Sequence, residues 1–424
     1  MDTATYGELS GSIHSQNAGK RAPTEASIEI TRRCPLECLH CYNNLPMGDL
    51  PARNRELSKE EHFRMLDEFA ELGIFWLLYS GGEIFARKDF LEIYTYAKKK
   101  GFLITLFTNG TLISEKIADY LAEWPPFSIE ITLYGRTKET YEALTGIPGS
   151  YDRCIRGIEN LRQRKLPLKL KTVPTTINKH EVFAMKRFAE EDLGLEFKLD
   201  ALINPRLDCS QSPLGVRLSP EEVVAIDMHP PKNRVEYGRL AERGISMPPG
   251  LEDHENLYFC GGGMNSFAVN PYGDMSICVL SQKETYNIRE GGVKHGWDNF
   301  LGQIRMEKKR KRPTKCSTCK IQSLCGMCPA TAELENADGD PESPVEFLCE
   351  VAHLRAMALG FEVPKHGDCD CCNGSERHQE LKRSASRIAA QEIDVEGWKA
   401  PTNLLPVLSN AAPGGGCGSC GSHS

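Results

Sequence analysis

Cys34, Cys38 and Cys41 stand at the spacing C-x3-C-x2-C, directly after the apolar-alternating run Ser27–Thr31. The run reads as a strand and the cysteines as the loop that leaves it. Three thiolates this close can hold three irons of a [4Fe–4S] cube. The fourth iron then has no protein ligand and is open to a substrate or cofactor. The competing chemistry is a zinc knuckle, which wants a closed set of four donors; His40 would complete it. A second thiol-rich stretch is Cys316-x2-Cys319-x5-Cys325-x2-Cys328, with Cys260, Cys278 and Cys349 around it. These seven cysteines fall one short of two closed zinc sites. Two iron–sulfur clusters, one incompletely ligated by protein, fit the same count. A third group is Cys369-Asp370-Cys371-Cys372, with Cys417 and Cys420 in a Gly/Ser-rich end. That end, Pro413–Ser424, reads as a mobile low-complexity tail, as a thiol pair that reduces or carries metal, or as a substrate-like segment.

The rest of the composition narrows the class. There are 17 cysteines in 424 residues and no apolar signal core in the first 25, so the thiols read as metal ligands rather than a disulfide framework. A net charge of −7 points to no nucleic-acid or membrane surface. No apolar run reaches the roughly 18 residues a membrane helix needs, and the expected location is cytoplasmic. The basic run Lys308–Arg312 reads as a solvated face or a dock for an acidic redox protein or peptide.

Short apolar runs alternating with amphipathic stretches must position these groups. Ser58–Leu72 is a helix pattern with Ser58 as cap and Glu61 three residues on. Ile74–Tyr79 is a continuous apolar run, expected to be a strand buried on both faces, and it ends in Ser80-Gly81-Gly82-Glu83. Helix 88–100 and strand 102–107 lead to Thr108-Asn109-Gly110; helix 114–122 and strand 128–133 follow. Helical segments over 138–164, strand 168–173, helix 180–192 and strand 196–202 complete six β/α units. Such alternation predicts a parallel sheet with right-handed crossovers, here an open barrel, with its active site at the carboxyl ends of the strands. The cysteine loop, the Gly-Gly-Glu and the Thr-Asn-Gly all fall at those ends. Beyond it come Pro-rich turns, including Pro248-Pro249, a helix capped by Ser219, and a hairpin turn at Asn270–Gly273.

Together these residues resemble the radical S-adenosylmethionine (SAM) enzymes that carry a C-terminal SPASM extension. Cys34-x3-Cys38-x2-Cys41 with His40 before the last cysteine is similar to their signature, and Ser80–Glu83 to their glycine-rich motif. Cys260-x12-Gly273-x4-Cys278 followed by the later cysteines is similar to the extension. The resemblance implies an α/β fold: a partial (β/α)6 TIM-like barrel and a small cysteine-rich domain with two auxiliary clusters. It implies these bounds: a flexible segment over 1–25, the barrel over 26–205, a connector over 206–259, the auxiliary-cluster domain over 260–355, and a partly disordered extension over 356–424. It implies three [4Fe–4S] clusters and SAM. The radical-generating cluster would sit on Cys34, Cys38 and Cys41, the outer auxiliary cluster on Cys316, Cys319, Cys325 and Cys349, and the inner one on Cys260, Cys278 and Cys328. Gly81, Gly82 and Glu83 would hold the SAM amino group, with Asn109 and Glu130 lining its pocket.

Two departures from the family pattern stand out. Cys325 and Cys328 are separated by two residues where the family usually has three, and no cysteine stands in Gly261–Ser266, soon after Cys260, where some members have one, so the inner cluster is expected to have an open iron. Val279 replaces the acid that sulfatase-maturing relatives carry. Ile131–Gly135, Thr145–Tyr151 and Asn204–Asp208 are most similar to enzymes that modify ribosomally made peptides by crosslink, thioether or epimerisation. The expected partners are a peptide substrate, a leader-binding protein supplied separately, and a flavodoxin or ferredoxin-type electron donor. Cys209, after the sixth strand beside Arg206 and Asp208, is a candidate donor of a hydrogen atom to a substrate radical. The competing readings are a maturase of a small cofactor, tetrapyrrole or protein, and a non-catalytic metal-binding protein.

Overall fold

A computed structural model describes residues 5–246 and 255–402, so Pro248-Pro249 and the Cys417/Cys420 end lie outside the described residues. Six parallel strands form the frame: β1 (Glu25–Glu29), β2 (Trp76–Ser80), β3 (Leu103–Thr108), β4 (Ser128–Thr132), β5 (Leu168–Thr172) and β6 (Phe197–Leu199). They pair in that order. β7 (Ser266–Val269) adds to the β1 edge in parallel, and β8 (Asp274–Ser276) and β9 (Tyr286–Asn287) continue antiparallel, giving nine strands in one sheet among the described residues. The turn between β7 and β8 is the expected Asn270–Gly273 hairpin, closed by Gly273 N–H on the Asn270 carbonyl at 3.1 Å.

Expected strand Ile74–Tyr79 differs in one respect. It is not buried on both faces: in β2, Leu77 and Tyr79 are fully buried against helices while Trp76, Leu78 and Ser80 are half-exposed. The open barrel encloses a cavity, and one side of each strand faces it. The outer sides pack on α2 (Lys59–Glu71), α3 (Phe90–Lys99), α4 (Glu115–Glu123), α5 (Lys138–Thr145) and α6 (Ser150–Gln163) around one apolar core. Capping follows the sequence: Ser58 and Glu61 make the reciprocal box that starts α2, and Gly146 ends α5 in the left-handed conformation.

The first 25 residues are not featureless. α1 (Tyr6–Gln16) is nucleated by a Thr5/Glu8 capping box and lies across the amino-terminal end of the barrel. There the Trp76 indole donates to Tyr6 Oη at 3.1 Å and the Tyr6 and Phe127 rings stand 4.7 Å apart. The capping box was readable in Thr5-x2-Glu8, but α1 has no buried residue, so no apolar stripe announced it.

A second apolar core lies beside the barrel. It joins α8 (Pro220–Met228) of the connector, α11 (Glu346–Ala358) and α12 (Glu376–Ala389), numbering α7 as Val182–Arg187, α9 as Pro231–Ser246 and α10 as Pro329–Glu335. Val223, Ile226, Val351, Leu354, Leu381 and Ile388 interlock there. Arg355 donates to Asp227 Oδ2 at 2.6 and 2.9 Å and to the Leu324 carbonyl at 2.8 Å, a buried pair that ties α11 to α8. Helices from connector, auxiliary region and extension thus share one core, and the described part of the extension is packed. Among the described residues, no helix is long and apolar enough to cross a membrane.

Candidate functional site

The chain leaves β1 and crosses the carboxyl ends of the strands as the cysteine loop. Buried Glu29 anchors the loop's return, accepting from Asn43 Nδ2 at 2.5 Å and Tyr42 Oη at 3.1 Å. The Arg33 guanidinium makes a two-point pair with Glu56 at 2.9 and 3.0 Å. The far side docks on the end of α5, where the Glu37 and Leu39 amides donate to the Thr145 and Leu144 carbonyls at 2.9 and 3.1 Å. Cys34, Cys38 and Cys41 are thereby held on the wall of an open cavity at the barrel mouth, with His40 beside them.

The donor geometry separates the two metal readings. A single zinc ion with Zn–S bonds of about 2.3 Å needs sulfurs about 3.8 Å apart. Among the described residues, two groups of three or more Cys, His, Asp or Glu donors converge within 4.8 Å, and Cys34, Cys38 and Cys41 belong to neither. Three thiols spread around a cavity suit a cube, which is wider than one ion. Burial pushes Cys34 up to about 12 and raises Cys38 and Cys41, so a cluster bound here would have to draw the protons off with its own charge. His40 is buried, its ring 5.2 Å from that of Tyr134, and burial lowers it to about 4, which keeps it neutral.

Ser80, Gly81 and Gly82 form the facing wall. Their glycines are demanded by proximity. A Cβ on Gly81, at φ +133°, would stand 2.2 Å from the Thr31 carbonyl oxygen, and one on Gly82 would stand 2.4 Å from that of Arg32. Gly82 N–H donates to Thr31 O at 2.7 Å and Glu83 N–H to Arg33 O at 3.0 Å, locking this turn onto the cysteine loop. Asn109 also lines the cavity, its Nδ2 donating to Cys34 Sγ at 3.5 Å.

Three sequence-assigned residues stand elsewhere. Glu83 is fully buried and turned into the protein, accepting from Thr108 Oγ1 at 2.7 Å, Asn109 N–H at 2.8 Å and Phe85 N–H at 3.2 Å. It fixes the ends of β2 and β3 and is not among the cavity's lining residues. Glu130 lies one pleat below the mouth, paired with Lys198 at 2.5 Å and Lys171 at 3.5 Å, and Thr132 takes its place at the wall. Cys209 is also absent from the lining: it sits at φ +64° in a turn closed by Arg206 and Ser210. In that turn Arg206 faces the loop, donating to the Cys41 carbonyl at 3.2 Å and Asn44 Oδ1 at 2.9 Å.

Lys171 and Asp200 also line the cavity, and neither stood out in the sequence. Lys171 Nζ sits 2.9 Å from the centroid of the Phe107 ring, and burial lowers it to about 8. The Leu-Lys-Leu-Lys alternation of β5 was the available signal. At the far rim, Val279 and Asn204 belong to the same cavity. Beyond them, Thr331 Oγ1 donates to Asn204 Oδ1 at 3.3 Å and lies 3.2 Å from Cys328 Sγ. Cys278 is raised to about 11, chiefly by burial and also by the charges of Cys328 and Cys260, so the three form one neighbourhood at the rim. Cys316, Cys319, Cys325 and Cys349 surround a separate, mainly apolar cavity. The basic run is largely paired, Lys308 with Glu284 at 2.5 Å and Arg312 with Asp340 at 2.5 Å.

Residues 28–189 match the family model described as the radical SAM superfamily. The chain is 25% identical over 346 residues to the AdoMet-dependent heme synthase of Methanosarcina barkeri, covering 76% of this chain and 96% of that one. It is 32% identical over 151 residues to the PqqA peptide cyclase of Granulibacter bethesdensis, covering 36% of this chain and 40% of that one. Among solved structures, Streptococcus suis SuiB bound to S-adenosylmethionine superposes with a TM-score of 0.58 at 16% identity, over 82% of each chain, a likeness of fold.

Proposed function

From a chain that carries a radical SAM domain over residues 28–189, and is an enzyme of that superfamily, we propose a maturase that modifies a ribosomally made peptide. In this reading Cys34, Cys38 and Cys41 hold the [4Fe–4S] cluster and SAM lies between it and the Ser80–Gly82 turn, with Asn109 and Thr132 at its sides. Glu83 and Glu130 act as positioning residues, the first on the strand ends and the second on Lys171. Cys316, Cys319, Cys325 and Cys349 carry the outer auxiliary cluster and Cys260, Cys278 and Cys328 the inner one. When bound, cluster and SAM supply one-electron reduction and a radical that takes hydrogen from carbon. The protein's own part is to hold the target C–H bond at the cavity mouth and to keep water out. A flavodoxin or ferredoxin-type donor and a separate leader-binding protein complete the reading.

The observation that carries the choice of substrate is the cavity's charge. Among its described lining residues, Lys171 is the one lysine or arginine and Asp200 the one carboxylate; neutral Asn43, Asn44, Asn109, Asn204, Thr108 and Thr132 supply most of the polar contacts. Neutral donors and acceptors suit peptide amides. A tetrapyrrole bearing several carboxylates calls for several cations. A tetrapyrrole maturase remains the second reading, because the heme synthase relative matches over most of both chains whereas the peptide cyclase matches over about two fifths.

The test is anaerobic turnover of the iron-loaded chain with SAM and dithionite, first alone, then with a candidate precursor peptide or an iron coproporphyrin. Formation of 5′-deoxyadenosine together with a mass change in the peptide supports the proposal. Turnover of the porphyrin with the peptide unchanged replaces it with the second reading, and no 5′-deoxyadenosine under any condition removes both.

A further inference from the structure

His353, His366, Cys369 and Cys372 bring four donor atoms within 4.8 Å of one another. The group lies outside the barrel, and the functional reading above uses none of the four. All four residues are buried, at 1%, 6%, 0% and 6% exposure. His353 projects from α11, and the other three follow on one tight segment, His366-x2-Cys369-x2-Cys372. Successive turns, with Cys369 N–H on the His366 carbonyl at 3.3 Å and Cys372 N–H on the Cys369 carbonyl at 3.2 Å, stack those three on one side. His353 Nε2 stands 3.8 Å from Cys369 Sγ; His366 Nδ1 donates to the Pro364 carbonyl at 2.9 Å and stands 3.4 Å from Cys372 Sγ, so Nε2 is the His366 nitrogen left to ligate. The two imidazoles are nearly parallel, 17° apart in plane and 5.5 Å between centroids.

We propose that these four residues form a closed zinc site, Cys2His2, that fastens the C-terminal extension to α11. The donor types and count are those of structural zinc, and binding releases the two thiol protons. Two thiolates cancel the charge of the ion, so the buried unit is neutral. The overlapping group Cys349, His353, Cys369 and Cys371 would supply three thiolates and bury a net negative charge, which costs more. His353 Nδ1 lies 2.8 Å from the Cys349 carbonyl oxygen, so its N–H is spent there and Nε2 is left to ligate, an arrangement common around bound metal. Cys349, one helical turn before His353, also lines the cavity of Cys316, Cys319 and Cys325; its Sγ stands 3.6 Å from Cys369 Sγ and 3.8 Å from Cys371 Sγ, and the charge argument assigns it to the outer auxiliary cluster rather than to zinc. That last assignment alone rests on the functional reading. His353 and His366 line the wall of the same cavity, so the zinc site closes its far side.

The test is metal analysis and zinc-edge X-ray absorption on the full chain after anaerobic iron loading. The expected result is one zinc per chain beside the iron, with two sulfurs at about 2.3 Å and two nitrogens at about 2.0–2.1 Å. Three sulfurs and one nitrogen, or no bound zinc, would overturn the proposal without any variant having to fold. Cys372→Ala is expected to lose the zinc and Cys371→Ala to keep it; the reverse pattern would assign the ion to the Cys349 group. Iron content reports separately on the clusters. Zinc with two sulfurs and two nitrogens, alongside iron sufficient only for one cluster, leaves this site standing and removes the auxiliary-cluster reading.

Discussion

The chain groups its thiols in two contrasting ways. At the barrel mouth, Cys34, Cys38 and Cys41 are spread over the wall of a large cavity and do not converge within 4.8 Å. Behind α11, Cys369 and Cys372 meet two histidines within that distance, in a core with almost no solvent contact. The first arrangement leaves room between donors and an open side, which chemistry on a substrate needs. The second satisfies every donor and leaves no open position, which a fastening needs. Convergence and enclosure, more than the number of cysteines, tell the two apart. At the open site Gly81 and Gly82 let the turn after β2 press onto the cysteine loop.

The sharpest way to break this contrast is to remove one thiol on the open side. Cys38→Ala is expected to abolish 5′-deoxyadenosine formation and to lower iron by about four per chain, while zinc stays. Loss of zinc in that variant would mean the two regions are one metal system. The next effect is expected in the closed region. Arg355→Ala leaves Asp227 buried and unpaired and removes the bond to the Leu324 carbonyl. Breaking a buried pair from one side costs about 3–5 kcal/mol. The urea midpoint of the second core should fall accordingly, with amide exchange of barrel strands β2–β4 nearly unchanged.

Much of the open region was legible from the sequence because its signals are local. A cysteine loop, a Gly-Gly-Glu and a Thr-Asn-Gly each follow an apolar run, and parallel strands bring such ends together. What the sequence does not show there is which side of the chain faces the cavity. Glu83 looked like a ligand by its motif but spends its carboxylate on Thr108 and Asn109. Glu130 was one pleat too low, and a two-residue step along β4, to Thr132, reaches the wall. Cys209 sits in a left-handed turn outside the cavity's lining, next to a segment whose Leu207 N–H bonds the Tyr42 carbonyl at 2.9 Å. The closed region was barely legible. His353 sits inside an apolar helix pattern, 13 residues from His366, and nothing local says that α11 and the extension fold face to face.

A smaller change tests why the open side needs glycine. In Gly82→Ala the new Cβ meets the Arg32 and Arg33 carbonyl oxygens at 2.4 and 2.6 Å, and these are backbone atoms that cannot swing aside. Overpacking of this kind costs about 1–3 kcal/mol. Its larger consequence is displacement of the loop that carries Cys34. The expected result is a modest drop in melting temperature and a disproportionate loss of 5′-deoxyadenosine formation, with zinc content unaffected. An equal, small loss of both would mean the turn is only structural.

The smallest effect is a pH dependence that belongs to the barrel. His62 on α2 is fully buried, and its Nε2 lies 3.2 Å from Arg87 Nη1, which Asp89 holds from the other side through Arg87 Nε at 2.7 Å. Burial first, and the Arg87 charge second, lower His62 from 6.5 to about 3. The folded chain therefore refuses a proton that the unfolded chain accepts below about pH 6.5. The stability this contributes is fully present above that pH and is lost as pH falls toward 3, with a limiting slope of about 1.4 kcal/mol per pH unit. His62→Gln, which still offers Arg87 an acceptor, should flatten the fall between pH 6.5 and 5 in the exchange of barrel amides. If the wild-type slope survives in that variant, the proton goes elsewhere and His62 is not the group that limits the barrel in acid.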